Sequence, residues 1–176
     1  NPGFTDFIWF DFDPHSCAFK RETLKNWDGK HYPKWVDDWC EKNPQANLDI
    51  QPLVKRKWWE VLHQFGGQRH FQDFWTQVSF SDHTVIECDL INHNEKLFEK
   101  VQNKRSFMWT SNIYSYILPN LKENVVDINA SFMDMINKLK LTHDDTWFSG
   151  TDTQDNDIMC LVKDITSATD NSSLGQ

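Results

Sequence analysis

No apolar run in the 176-residue chain approaches the ~20 residues that a helix needs to cross a bilayer, so neither a membrane-spanning helix nor a membrane partner is expected. Paired cysteines are lacking too. Cys17, Cys40, Cys88 and Cys160 lie far apart and never form a C-x-x-C pair, which suggests neither a zinc site nor dithiol redox chemistry. No signal-peptide pattern precedes them. Cys88 lies in an apolar strand-like run and Cys17 in a helical one, so both read as buried free thiols of a reducing, cytoplasmic compartment. The sequons at Asn129 and Asn171 are then chance matches. A surplus of cations is also missing. Lys and Arg number 18 against 26 Asp and Glu, a formal net charge of −8, and only Lys55, Arg56 and Lys57 cluster. Affinity for phosphate backbones needs several spaced cations, so nucleic acid is not an expected partner and the trio reads as a solvated first helical turn. There is no H-E-x-x-H, which leaves His63 and His70 as helix and loop residues. The acidic stretch from Asp152 to Asp157 lacks the glycine and terminal glutamate of a calcium-binding loop, so it reads as a hairpin tip and no metal is expected. The chain has no internal repeat. It begins with Asn1 rather than Met, which reads as a trimmed or incomplete product.

Hydrophobic residues make up 39% and charged residues 25%, a globular balance. The length suits one domain, expected over residues 1–165 with a helical insertion at about 30–80, followed by a loose polar tail over 166–176.

Within that domain the run from Phe7 to Asp13 is aromatic and apolar and ends in two acids, the pattern of a buried strand carrying carboxylates to its C-terminal edge. Pro14 opens a helix that Asp28 and Gly29 stop. Lys30 to Gln51, broken by Pro33 and Pro44, reads as polar and irregular, with a short helix around Trp35 to Cys40. Pro52 and the spacing of Val54, Trp58, Val61, Leu62 and Phe65 predict a helix ended by Gly66 and Gly67. Phe71, Phe74, Trp75 and Val78 predict a second one beside it. A strand follows over Thr84 to Leu90. Asn92 and Glu95 have capping-box spacing before a further helix, and Ser106 to Asn112 reads as a strand with its exit loop. Phe132, Met135, Ile136 and Leu139 mark an amphipathic helix. Short strands at Thr146 to Ser149 and Ile158 to Val162 predict a closing hairpin.

Strands alternating with helices imply a mostly parallel, Rossmann-like α/β sheet with helices on both faces, holding Ile8, Ile86 and Met108 together. Ligands of such sheets bind at the carboxyl ends of the strands. Asp11, Asp13, Asp89, Thr110, Ser111 and Asn112 all fall at such ends.

Several segments resemble a group of class I S-adenosylmethionine-dependent methyltransferase-like proteins common in viral and bacterial sequences. They are Phe10 to Asp13 with Ala18 to Lys20, Asn26 to Gly29 with Tyr32 and Pro33, Phe65 to Gly67 with Phe71 and Trp75, Cys88 to Leu90, and Trp109 to Asn112. The resemblance covers roughly the first two thirds of the chain. It implies S-adenosylmethionine as cofactor, with Asp11 taking the ribose hydroxyls and Asp89 meeting the adenine amino group. Thr110, Ser111 and Asn112 would face the transferred methyl group, orienting the acceptor and taking its proton. The acceptor itself is not specified. One departure is plain: no glycine-rich strand and turn precede Asp11, and a central strand goes with it.

Two other readings compete. Asp11 and Asp13 have the D-x-D spacing of a magnesium-dependent haloacid-dehalogenase-like phosphatase, with Thr110 or Ser111 on phosphate, Lys140 as basic partner and Asp152, Asp155 or Asp157 on the metal. His15 departs from that pattern. Alternatively, the nine tryptophans and thirteen phenylalanines suit a non-catalytic binding or assembly module, a homo-oligomer included.

Overall fold

The computed structural model describes residues 6–46, 51–110, 125–151 and 157–165. The chain divides into two units, Asn1–Cys88 and Asp89–Gln176.

In the first unit, β1 (Asp6–Asp11) ends because Asp13 becomes the N-cap of α1 (Pro14–Asn26). The Asp13 carboxylate accepts from the backbone N–H of His15 at 3.1 Å and of Ser16 at 2.9 Å, satisfying two donors that a helix start leaves open. Pro14 then costs nothing at the first helical position. Three further helices, α2 (Tyr32–Lys42), α3 (Gln51–Gln64) and α4 (Gln68–Ser79), lead to β2 (Asp82–Glu87). β2 pairs parallel with β1 in a register that sets Phe10 beside Ile86 and Asp11 beside Glu87. Parallel neighbours require such a crossover.

α2 is a full helix where the sequence predicts irregular chain with a short helix. Pro33 lies in its first turn, where a missing N–H breaks no bond, so the proline opens the helix instead of interrupting it. Its buried face, Val36 and Trp39, packs with Phe19 and Ala46.

A second core forms around Trp27, with Trp58, Leu62 and Phe71. Trp27 has ring neighbours at 4.8 Å (Tyr32), 4.7 Å (Trp75), 5.9 Å (Phe71) and 6.2 Å (Trp58). Each buried aromatic of this kind stabilises by about 1.5–3 kcal/mol, and a well-angled ring pair by roughly 0.5–1.5 kcal/mol more. The Asn26 to Gly29 segment is the hub. Trp27 Nε1 donates to Lys30 O (2.7 Å), and α4 reaches back three times: Trp75 Nε1 to Trp27 O (3.0 Å), Gln68 Nε2 to Gly29 O (2.9 Å) and Gln72 Nε2 to Asp28 O (3.2 Å). Gly29 has φ of 79°, and a Cβ there would stand 2.8 Å from Trp75 Cδ1, so glycine is required on both counts. The motif is thus architecture: it nails the α1 exit to α4.

The second unit opens with a turn at Asp89 and continues through α5 (Glu95–Val101), β3 (Phe107–Trp109), α6 (Val125–Lys140), β4 (Trp147–Thr151), β5 (Asp157–Leu161) and a 3₁₀ turn, Val162–Asp164. β3 pairs parallel with β4, and β5 returns antiparallel as the expected hairpin. Met135, Ile136 and Leu139 of α6 are fully buried, and Phe132 meets Phe148 of β4 edge-on at 6.2 Å.

Two expectations are corrected. Met108 does not share a sheet with Ile8 and Ile86. Among the described residues the strands form one parallel pair, β1–β2, and one mixed triple, β3–β4–β5. The chain is mixed α/β with small sheets, short of a single Rossmann-like sheet. β3 commits its ladder to β4, extended at its ends by Trp147 N to Ser106 O and Thr110 N to Ser149 O (both 2.9 Å). Nor does the Asn92–Glu95 capping box form. Asn94 is the residue before α5, and the Asn92 side chain donates instead to Asp89.

Candidate functional site

In a βα unit the helix runs back along its strand, which brings its first turns to the strand's carboxyl end. Asp11, at the end of β1, therefore meets α1. Its Oδ2 accepts from Lys20 Nζ at 2.5 Å, and its Oδ1 accepts from the Asp13 N–H at 3.1 Å. Both side chains of the ion pair keep 26% of their surface in water. A carboxylate offers about four acceptor positions, so Asp11 retains roughly two, the number that a ribose diol needs. Glu87 stands in register with Asp11 at the end of β2.

Asp13 is differently placed. Burial alone would raise its carboxyl, but hydrogen bonds from the Ser16 hydroxyl and N–H and the His15 N–H, with the His15 charge, hold it below the ordinary 3.8. Both its oxygens serve the helix cap, and the Ser16 hydroxyl adds a third bond at 2.8 Å. Beneath it the Cys17 thiol, fully buried, points at the carbonyls of Asp11 and Ile86, each at 3.6 Å. Burial pushes this thiol up, as suits a packed and unreactive sulfur.

In the second unit Asp89 organises its own turn. Oδ1 accepts from the N–H of Ile91 (2.8 Å) and Asn92 (3.2 Å), and Oδ2 from Asn92 Nδ2 (2.8 Å). Burial opposes its charge, yet these bonds and the nearby His93 win, and the carboxyl sits below its ordinary value. Three of about four acceptor positions are used, leaving one, enough for a single amino donor.

Thr110 is 5% exposed and faces β4. Its Oγ1 lies 3.3 Å from Ser149 O, to which only the hydroxyl can donate, so its proton is committed to the ladder. A Cβ on Gly150 would come within 2.5 Å of that oxygen. Thr110 is a packing residue against the glycine of β4. Ser111 and Asn112 lie outside the described residues, as do Asp152 and Asp155. Lys140, the basic partner in the phosphatase reading, donates to Ile165 O at 2.6 Å. Among the described residues no three His, Cys, Asp or Glu side chains converge as a metal site.

Sequence reasoning missed Lys20 as the partner of Asp11 and Glu87 as the end of β2. The first had a signal: a cation two turns into a helix that starts just after the acid. The second had none, because a strand's last residue depends on where its ladder stops.

No family model, curated protein or solved structure matches the chain.

Proposed function

We propose that the chain is a methyltransferase-like domain forming part of an S-adenosylmethionine-dependent methyltransferase, with Asp11 as the ribose-binding acid and Asp89 as the adenine-binding one. The observation that carries the reading is the strand pairing. A doubly wound dinucleotide-binding sheet has the order 3-2-1-4-5-6, so its first five strands run 3-2-1-4-5. Remove strand 1 and two parallel pairs remain, 3-2 and 4-5. Among the described residues β1–β2 and β3–β4 are the parallel pairs, with β5 antiparallel beside β4. The acceptor positions left on Asp11 and Asp89 supply the hydrogen bonds the two roles require. Thr110 is spent on architecture, so methyl-acceptor chemistry falls to Ser111 and Asn112. With neither a strong base, rate enhancement would come from positioning.

Titration calorimetry tests the reading. The methionine end of the cofactor carries charge and is expected to meet no glycine-rich turn in residues 1–176; each missing charged hydrogen bond forfeits roughly 1.5–3 kcal/mol, so S-adenosylmethionine is expected to bind at about millimolar. Adenosine is expected to bind about as well, and Asp11→Ala to abolish both. Micromolar binding of the cofactor would show that the methionine end has partners elsewhere. Magnesium-dependent phosphomonoester hydrolysis lost on Asp11→Asn would overturn the proposal in favour of the phosphatase.

A further inference from the structure

His83 of β2 is held at three points. Trp9 Nε1 approaches its Nδ1 at 3.0 Å, its Nε2 lies 2.8 Å from Val78 O in the last turn of α4, and the Phe7 ring stacks on it at 5.2 Å and 28°. The partners fix the proton. An indole N–H only donates, so Nδ1 must offer a lone pair. A carbonyl only accepts, so Nε2 must carry the hydrogen. The contacts are thus satisfied together only by the neutral Nε2–H tautomer. A proton on Nδ1 would face the indole hydrogen, and that bond would be lost.

The other two contacts survive protonation. Nε2 donates to Val78 O in either state, and an imidazolium still stacks on Phe7 with a cation–π contribution. Val78, whose carbonyl faces Nε2, belongs to the C-terminal turn of α4. By strand alternation Asp6 and Asp82 stand on the opposite face of the ladder from Phe7 and His83. On the His83 face the next acids are Asp11, held by Lys20, and Glu87, both at the far end of the strands. The last turn of α4, Thr76 to Ser79, brings no charge, and Arg21 of α1 reaches Val85 O at 3.3 Å. Among the described contacts of His83, the Trp9 hydrogen bond is the one that requires the neutral ring.

We propose that His83 is a proton-operated latch in the first unit: neutral, it accepts the Trp9 indole hydrogen bond that ties β1 to β2; protonated, it gives up that bond while keeping α4 and the tilted Trp9 ring contact at 6.2 Å. The inference does not depend on the methyltransferase reading.

NMR of the whole chain tests it. At pH 7.5 the His83 nitrogens should report the Nε2–H tautomer. The Trp9 indole proton, assigned by its absence in Trp9→Phe, should exchange about fivefold to tenfold more slowly than a free indole at the same pH, the factor that one net hydrogen bond contributes. That protection should vanish in the same pH step in which His83 C2–H titrates. In His83→Gln the amide oxygen accepts and the amide nitrogen donates without titrating, so protection should persist across the range. An Nδ1–H tautomer, or a Trp9 proton whose protection ignores the His83 titration, would overturn the latch, and both are read in the unsubstituted protein.

Discussion

Thr110 shows how a polar residue at a strand end divides between chemistry and packing. From sequence it shares the place of Ser111 and Asn112, and nothing distinguishes the three. In the fold its hydroxyl is turned onto β4, over a glycine that has no room for a side chain. Gly150→Ala should therefore destabilise the protein by about 1–3 kcal/mol, the usual cost of forcing one extra carbon into a packed site. Thr110→Ala removes the atom at 2.5 Å, and the next nearest are the Phe148 ring carbons at 3.3 Å and 3.4 Å, a closeness that small side-chain shifts relieve. The double substitution should then be more stable than the sum of the two single effects predicts. Urea denaturation of the four proteins measures the coupling. Strict additivity would mean that the Thr110 hydroxyl does not occupy the space above Gly150.

At the scale of elements, the Asp13 cap permits a prediction with a sign. Its carboxyl is held below the ordinary value, so the folded state favours the ionised form. The stabilisation is complete above about pH 4, where the unfolded carboxyl is also ionised, and is lost as pH falls through the lower folded value. Asp13→Ala should cost about 1 kcal/mol at neutral pH, and Asp13→Asn less, because asparagine caps nearly as well. The asparagine protein should also lose less stability than the parent on acidification below pH 4. Equal acid sensitivity would place the lowered carboxyl elsewhere. Asp89, lowered by its own turn, supplies a background common to both proteins. Elements were largely legible in the sequence because periodicity and end signals are local: α3 and α4 follow the spacing of Trp58, Leu62, Phe71 and Trp75, and the Gly66–Gly67 stop. α2 was less so, since Pro33 reads equally as a breaker and as a first-turn residue until the chain around it is placed. Asn92 misled for a similar reason. Its side chain had two acceptable partners, and the Asp89 carboxylate won over a helix N–H.

For the whole molecule, partner choice among strands was the illegible part. Apolar runs identify Phe7 to Asp13 and Ser106 to Asn112 as strand-bearing segments, but pairing is decided by distant residues, and so the division of the described strands into two sheets had no local signature. Charge is the whole-molecule property most readable in advance, and the fold sharpens it. Two members of the Lys55–Arg56–Lys57 trio already have acidic partners, Lys55 with Asp37 at 3.0 Å and Lys57 with Glu60 at 2.7 Å. Lys34, Lys138 and Arg105 are likewise paired, with Asp38, Asp134 and Asp145. Such exposed pairs contribute little stability, yet each places an anion beside a cation that a phosphate would have to engage. Binding a polyanion gains from release of its counterions only in proportion to the cations presented, while a net charge of −8 repels it at long range. The protein should therefore pass through a heparin column at about 0.15 M salt, where the screening length is ~8 Å, and should not retard duplex DNA or RNA at micromolar concentration. Removing the trio by Lys55→Gln, Arg56→Gln and Lys57→Gln together should change neither result. Retention that needs more than about 0.3 M salt to reverse, and that the triple substitution abolishes, would show a cationic site built despite the overall charge.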